Sequence, residues 1–564
     1  MRLPESPMAP NAADAAESVG GGEAVGLPRL DEVFSGVTDL LNQGGAVVRE
    51  TARLGSELVR IAVGRSELAP AKGDRRFADP AWTENPAYRR IEQAYLAGAA
   101  TVHNLVEESL KNQRDARRAE RTTLIANILT SALAPSNFFA TNPAALKRAF
   151  DTGGASVLRG IGNFISDVRH NGGLPSMVDH TAFEVGRNLA VTSGAVVARD
   201  EVAEVLQYAP TTETVFERPV LVIPPMINRF YVLDLAPGRS FVEHAVGQGL
   251  QTFLVSWRNP TPDQGDWDLD TYARCISTAI DTVREITGSA DVNVIGFCAG
   301  GIVMTTLLNH LAAIGDNRVH TASYSVTLLD FGTRAPLLAF SGPGLLRYVQ
   351  RRSRRKGVIT SREMGAAFTW MRPDDLVFNY WVNNYLMGEK PPAFDILAWN
   401  ADGTNLPGAL HGQFLDIFQH DLLTRHGGIT VLGSPLNLDR VKIPVFVNGA
   451  IADHLTPWKG CYQTTQLLGG ETTFVLSSSG HIASLVNPPN NPKARYWTGD
   501  GTGPDPEAWL ADATTNQGSW WQAWAEWISQ RAGNKRSASG RLGSDRHPVL
   551  DLAPGRFVRD LPPP

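Results

Sequence analysis

The sequence predicts an α/β protein: a mostly parallel sheet covered by helices on both faces, broken by one large insertion and preceded by a helical region. Three observations carry this. From Val220 onward, short runs rich in Val, Ile and Phe alternate with helical patterns, the arrangement that buries parallel strands between two helical layers. One strand-to-helix junction, 292–304 (VNVIGFCAGGIVM), contains a tight Gly-x-Cys-x-Gly turn. After Asp330, about a hundred residues pass before the next clear strand at Val445, far beyond the roughly 2 to 6 residues of an ordinary connection.

Taken in order, residues 1–27 are rich in Ala, Gly and Pro, a composition that predicts disorder. Apolar residues then recur at spacings of three and four: Leu30, Val33, Phe34, Val37 and Leu41; Ile91, Tyr95 and Leu96; Val102, Leu105 and Leu110. These predict a helical N-terminal domain over 28–205 with no strand before about residue 200. A catalytic domain is expected over 206–532, with strands at 220–225, 252–257, 292–297, 324–330, 444–449 and 472–477. The pattern at 269–286 predicts a helix with Tyr272, Ala273, Ile276, Ile280 and Val283 on one face. The insertion, 335–438, is dense in aromatics (among them Trp370, Tyr380, Trp381 and Trp399) and reads as a cap over the catalytic edge of the sheet. Trp520, Trp524 and Trp527 fall on one helix face, the spacing of a core stripe, with contact to an apolar polymer as the alternative. The tail, 533–564, is expected to be irregular.

Composition excludes several classes. A net charge of −5 gives no pull toward nucleic acid or an anionic membrane. Three cysteines make no disulfide framework, and with no signal-peptide pattern the expected setting is cytoplasmic. No run of 18 apolar residues predicts a spanning helix. No Cys/His spacing suggests a metal and no Gly-rich phosphate loop a nucleotide, so no cofactor is expected. The basic runs Arg114, Arg117, Arg118 and Arg121, and Arg351, Arg352, Arg354, Arg355 and Lys356, read as solvated faces; the second could alternatively meet substrate phosphates.

The chemistry is concentrated at the turn. A Gly-x-Ser-x-Gly elbow holds its central side chain in a strained bend between strand and helix, and here that residue is Cys298. Its place at a helix N-terminus favours a thiolate. Such a nucleophile needs a base and an orienting acid, in the chain order nucleophile, acid, histidine. Asp453 follows the strand at 444–449 and His481 the strand at 472–477, so Cys298, Asp453 and His481 are expected to form a triad at one sheet edge, with Gly480 letting the histidine loop bend inward. Asp330 is a rival acid with a turn-capping alternative, and His454 a possible second base. His310 and His320 follow no predicted strand and read as surface or helix residues. The oxyanion hole is expected at the backbone amides of Ala299 and Ile227. Cysteine rather than serine points to acyl transfer: a thiolate exchanges with a thioester at little thermodynamic cost, so the acyl group stays activated for passage to an alcohol.

The residues around these positions resemble the polyhydroxyalkanoate synthases over about 80–535. The likeness rests on GFCAGG at Cys298, PPMINRFYVLDL (224–235), VSWRNP (255–260), NYWVNNYLMGEKPPAFDILAWNADGTNLP in the insertion, ADHLTPW (452–458) and SSSGHIASLVNPP (477–489). The resemblance implies an α/β-hydrolase fold with a large cap insertion and a helical N-terminal domain. It implies a homodimer that polymerises (R)-3-hydroxyacyl-CoA with release of CoA and works at the polyester granule surface. By that similarity Cys298 carries the acyl chain, His481 takes the thiol proton, and Asp453 orients His481 or activates the incoming 3-hydroxyl. Trp399 stands at a position the family usually keeps as Trp in the cap and substrate channel, while Ala398 and Gly403 depart from the usual residues. Chain length resembles the single-subunit type, and SWRNPTPDQGDWDL leans toward medium-chain substrates. The alternatives are a cysteine-dependent α/β hydrolase or acyl-CoA thioesterase, and a non-catalytic granule coat.

Overall fold

A computed structural model describes residues 44–111, 116–332 and 343–560. The N-terminal stretch 1–27, the 30–41 pattern and Arg114 lie outside the described residues. Helices Gly44–Ala62, Pro86–Leu110, Ala116–Ala132, Pro143–Asp151 and Ala155–His170 follow, the second uniting both predicted patterns between Ile91 and Leu110. Asn85 caps that helix by accepting from the Ala87 amide, with Pro86 at its first position, where a missing N–H costs nothing.

Among the described residues eleven strands form one sheet. In chain order they are β1 (Gly194–Arg199), β2 (Ala203–Tyr208), β3 (Val220–Ile223), β4 (Thr252–Trp257), β5 (Val292–Phe297), β6 (Val319–Ser325), β7 (Val445–Ala450), β8 (Thr472–Ser477), β9 (Arg495–Thr498), β10 (Thr514–Gln517) and β11 (Asp551–Leu552). Their spatial order is β10-β9-β8-β7-β6-β5-β3-β4-β2-β1-β11. Strands β3 to β8 are mutually parallel, and antiparallel strands extend both edges. One helical layer includes Leu269–Thr287 and Ala299–Ala313, whose apolar faces join the core on one side of the sheet. The other includes Phe241–Gly247 and Trp520–Ser529.

The structure corrects several expectations. The sheet begins at Gly194, so a boundary at residue 205 falls inside it. The strand expected at 324–330 is Val319–Ser325 instead, which places His320 inside a strand and moves Asp330 into a loop. There Asp330 accepts from the Gly332 amide at 2.7 Å, the turn-capping role. Most of the described tail has no regular structure, but it is tied to the fold: Lys535–Ser537 pairs with Thr214–Phe216, and β11 pairs with β1. The tryptophan stripe is core, Trp520 and Trp524 being 1% and 0% exposed, with indole N–H groups donating to the Ser484 carbonyl and to Ser323 Oγ.

Between β6 and β7 lie helices Pro343–Lys356, Ser361–Met371, Asp395–Ala401 and Gly408–His420, with π-helical turns at Asp374–Phe378 and Trp381–Leu386. The basic run on the first is exposed, and Arg352 and Lys356 both pair with Glu363. Helix Ala155–His170 packs on the second π-helical turn, where Asn163 donates to the carbonyls of Asn384 and Glu389 and the Tyr385 hydroxyl donates to Asp167. The N-terminal helices therefore hold the insertion as well as flank it.

Candidate active site

The elbow forms because β5 runs straight into helix Ala299–Ala313 with one residue to turn in. That residue, Cys298, sits at φ 48°, ψ −124°, left-handed backbone that a side chain adopts only when its surroundings enforce it. The flanking glycines are steric requirements: a Cβ on Gly296 would lie 2.6 Å from the Gly301 Cα, and one on Gly300 2.4 Å from the Ile223 carbonyl oxygen. The second approach brings the end of β3 against the elbow. Cys298 is partly exposed, whereas Cys275 and Cys461 are buried.

Because β5, β7 and β8 are parallel, residues just past their carboxyl ends share one edge. Asp453 lies three residues after β7 and His481 four after β8, and the two loops are tied where the Ile451 and Ala452 amides donate to the Ser477 and Ser479 carbonyls. His481 Nδ1 is 2.6 Å from Asp453 Oδ2, with both side chains almost fully enclosed. Gly480 has φ −81°, which any residue adopts, so a special glycine bend is not what turns the histidine inward.

Charge follows from these contacts. Burial opposes a proton on His481, but the Asp453 carboxylate, and after it the sulfur of Cys298, outweigh it and raise its pKa to about 10. Burial likewise opposes charge on Asp453, and His481 together with the Thr456 hydroxyl and amide holds it below the usual range. A carboxylate facing Nδ1 leaves Nε2 for the sulfur, so a proton given up by the Cys298 thiol is held there, the geometry of a base that keeps the proton it accepts.

Thr456 is the member that reading the sequence missed. Its hydroxyl donates to Asp453 Oδ2 at 2.6 Å and lies 3.1 Å from His481 Nδ1, while Asp453 Oδ1 accepts from the Leu455 and Thr456 amides at 2.8 and 2.9 Å. The signal was present in the Asp-x-x-Thr spacing, which lets a side chain three residues on return to the carboxylate. Thr456→Val preserves shape and removes the hydroxyl; a hydrogen bond to a charged group contributes about 1.5–3 kcal/mol, so turnover should fall roughly 10- to 100-fold. Thr456→Ser should retain most of the rate of CoA release, and wild-type turnover in the Val variant would remove this role.

The other expected residues divide. The Ala299 amide opens the helix behind Cys298, and among the described residues neither it nor the Ile227 amide has a hydrogen-bond acceptor. His454 is driven down to about 4 by burial and by Arg372, so it is neutral at pH 7, and among the described residues it hydrogen-bonds neither Cys298 nor His481. Trp399 is 1% exposed and donates its indole N–H to the Arg229 carbonyl at 2.7 Å, a packed position beside the 224–229 loop. Among the described residues no group of three or more His, Cys, Asp or Glu could hold a metal ion.

Comparison with known proteins gives the family. Residues 73–245 match the family model described as the N-terminus of poly-beta-hydroxybutyrate polymerase (PhaC), and 232–488 match that of the alpha/beta hydrolase fold. Poly(3-hydroxyalkanoate) polymerase 1 of Ectopseudomonas oleovorans is 43% identical over 96% of this chain and 97% of its own length. The chain belongs to the poly(3-hydroxyalkanoate) polymerase family. Polymerase 2 of the same organism is 46% identical over 90% of both chains. The polymerase subunit PhaC of Cupriavidus necator is 38% identical over 96% of this chain and 92% of its own. The match to the polymerase N-terminus begins within the helical region and ends past β3, so it crosses from those helices into the sheet, as the packing does.

Proposed function

We propose that this polymerase builds its polyester on Cys298, through an acyl-cysteine thioester. As a member of the family the chain is an acyltransferase that polymerises (R)-3-hydroxyacyl-CoA into polyhydroxyalkanoate with release of CoA. The observation that supports the covalent route is the line of contacts from Asp453 through buried His481 to the strained thiol.

His481 takes the thiol proton, and the thiolate attacks the carbonyl of the substrate thioester. The tetrahedral oxyanion is held by the Ala299 and Ile227 amides. Collapse breaks the bond to CoA sulfur, which leaves with the proton from His481. The 3-hydroxyl of a second acyl unit then gives its proton to the same base and attacks a thioester carbonyl. An ester bond forms as that carbonyl's bond to sulfur breaks, the departing sulfur takes the proton back from His481, and the chain is one unit longer.

The elements between β6 and β7 serve in this reading as a cap that limits water, and Trp399 anchors it to the 224–229 loop. Action as a homodimer at the surface of the polyester granule, in the cytoplasm, is part of the same reading and is supported by the resemblance to the family. Among the described residues no helix is long and apolar enough to cross a membrane. Incubation with 3-hydroxyacyl-CoA, following free CoA and product size together, tests the reading. High polymer with stoichiometric CoA is expected; free hydroxy acid would make the enzyme a hydrolase, and no CoA release would deny catalysis.

A further inference from the structure

The loop carrying the Ile227 amide is held from three sides. From the sheet, the Gly300 approach to Ile223 and the Trp257 indole, donating to the Pro224 carbonyl at 2.9 Å, fix its start. From the insertion, Thr404 donates through its hydroxyl to the Met226 carbonyl and through its amide to the Ile227 carbonyl, at 2.8 and 3.3 Å, and Trp399 holds the Arg229 carbonyl. The third side is the carboxyl-terminal segment. Arg229 is 3% exposed; its Nη1 donates to the Phe557 carbonyl at 2.8 Å, its Nη2 to the Asp560 carbonyl, and its Nε to Asp402 Oδ1 at 3.4 Å.

That segment is itself built into the fold. Strand β11 pairs with β1, and Phe557 is met by the guanidinium groups of Arg199 and Arg258 at 5.9 and 5.4 Å from its ring centre. Glu204 on β2 is 0% exposed and accepts from the Arg199 Nε at 2.7 Å, the Arg556 amide at 3.0 Å and the Phe557 amide at 3.1 Å. A buried guanidinium satisfied by two main-chain carbonyls more than 300 residues away in sequence is costly to leave half-paired.

We infer that Arg229 is a positioning residue for the oxyanion hole, and that the segment 551–560 acts through it as part of the active-site scaffold. Arg229 lies two residues from Ile227, so the fork that grips the carboxyl-terminal carbonyls also sets where the Ile227 amide points. The inference rests on the assignment of that amide to the oxyanion hole. A lysine cannot reproduce the grip, because one ammonium on a flexible stem does not span two carbonyls and a carboxylate in fixed directions.

The test compares Arg229→Lys and Glu204→Gln with the wild-type chain, counting active sites by alkylation of Cys298 with iodoacetamide. Arg229→Lys should lower kcat per alkylatable site about 10- to 100-fold, the scale of a misplaced oxyanion donor, with KM within about twofold. The alkylation rate should stay within about twofold, since His481 and Asp453 activate the thiol independently of this loop. Amide hydrogen exchange should quicken in peptides covering 224–233 and 551–560 together. Glu204→Gln, which loosens the segment while leaving Arg229 in place, should give the same signature more weakly, and it decides the matter if Arg229→Lys does not fold. Unchanged kcat per site, or alkylation slowing in step with kcat, would overturn the inference. Failure of the covalent reading shows elsewhere, as CoA release that survives loss of Cys298.

Discussion

Cys298→Ala should abolish CoA release, a loss on the order of a million-fold if the thiol behaves as nucleophiles of this kind do. Alanine shares the cysteine Cβ, so the elbow can form, yet it offers no sulfur to carry the acyl group. Cys275→Ala and Cys461→Ala should retain most activity, because these thiols are 7% and 0% exposed and burial pushes both toward the neutral form. Initial rates of CoA release from the three variants make the measurement. Near-normal turnover without Cys298 would remove the covalent reading.

Asp453→Asn should lower turnover by roughly 10³- to 10⁴-fold through the histidine tautomer. The Leu455 and Thr456 amides both donate to Oδ1, so the asparagine carbonyl must stay there and its NH₂ must take the place of Oδ2. That NH₂ would donate to His481 Nδ1 and leave the ring proton on Nε2, where it cannot accept from the thiol. The same pair links stability to pH. His481 has a raised pKa in the folded chain, so its contribution is complete below the unfolded value of about 6.5 and is lost as pH rises through about 10. The melting temperature should therefore decline across that window in the wild type, and much less in the asparagine variant. A rate loss under tenfold would mean that Asp453 does not set the tautomer.

How much of this was legible in the sequence depended on which interaction holds each part. Strands β4, β5 and β8 lie where their apolar runs placed them, because burial on both faces writes a continuous hydrophobic signal. Strand β6 was misplaced because its buried polar residues are satisfied by neighbouring elements: Thr321 donates to Asn293 on β5, Trp524 of the helix Trp520–Ser529 donates to Ser323, and Asn448 on β7 donates to Ser325. The apolar Leu328 and Leu329 beyond it are just as buried, but in a loop. Strand β2 escaped for a related reason, since Glu204 and Gln207 interrupt a pattern whose meaning depends on a segment some 340 residues later. Strands β9 and β10, at one end of the sheet, contain no fully buried residue and take their order from a neighbour rather than from burial.

The site was more legible than the scaffold. The elbow, the acid and the histidine each follow a strand end, and parallel strands bring such ends together whatever lies between them. Thr456 and Arg229 were not, because each acts through contacts invisible to local pattern: a hydroxyl shared by two members of the triad, and carbonyls of a distant tail.

The most direct test of the central claim is to stop the enzyme with acid while it is turning over 3-hydroxyacyl-CoA, digest it, and weigh the peptides. The account predicts a hydroxyacyl or oligomeric hydroxyacyl mass on the peptide carrying Cys298, labile to hydroxylamine as a thioester is, and none on the peptides carrying Cys275 or Cys461. Polymer accumulating while Cys298 stays unmodified, or an acyl group found on another residue, would contradict it.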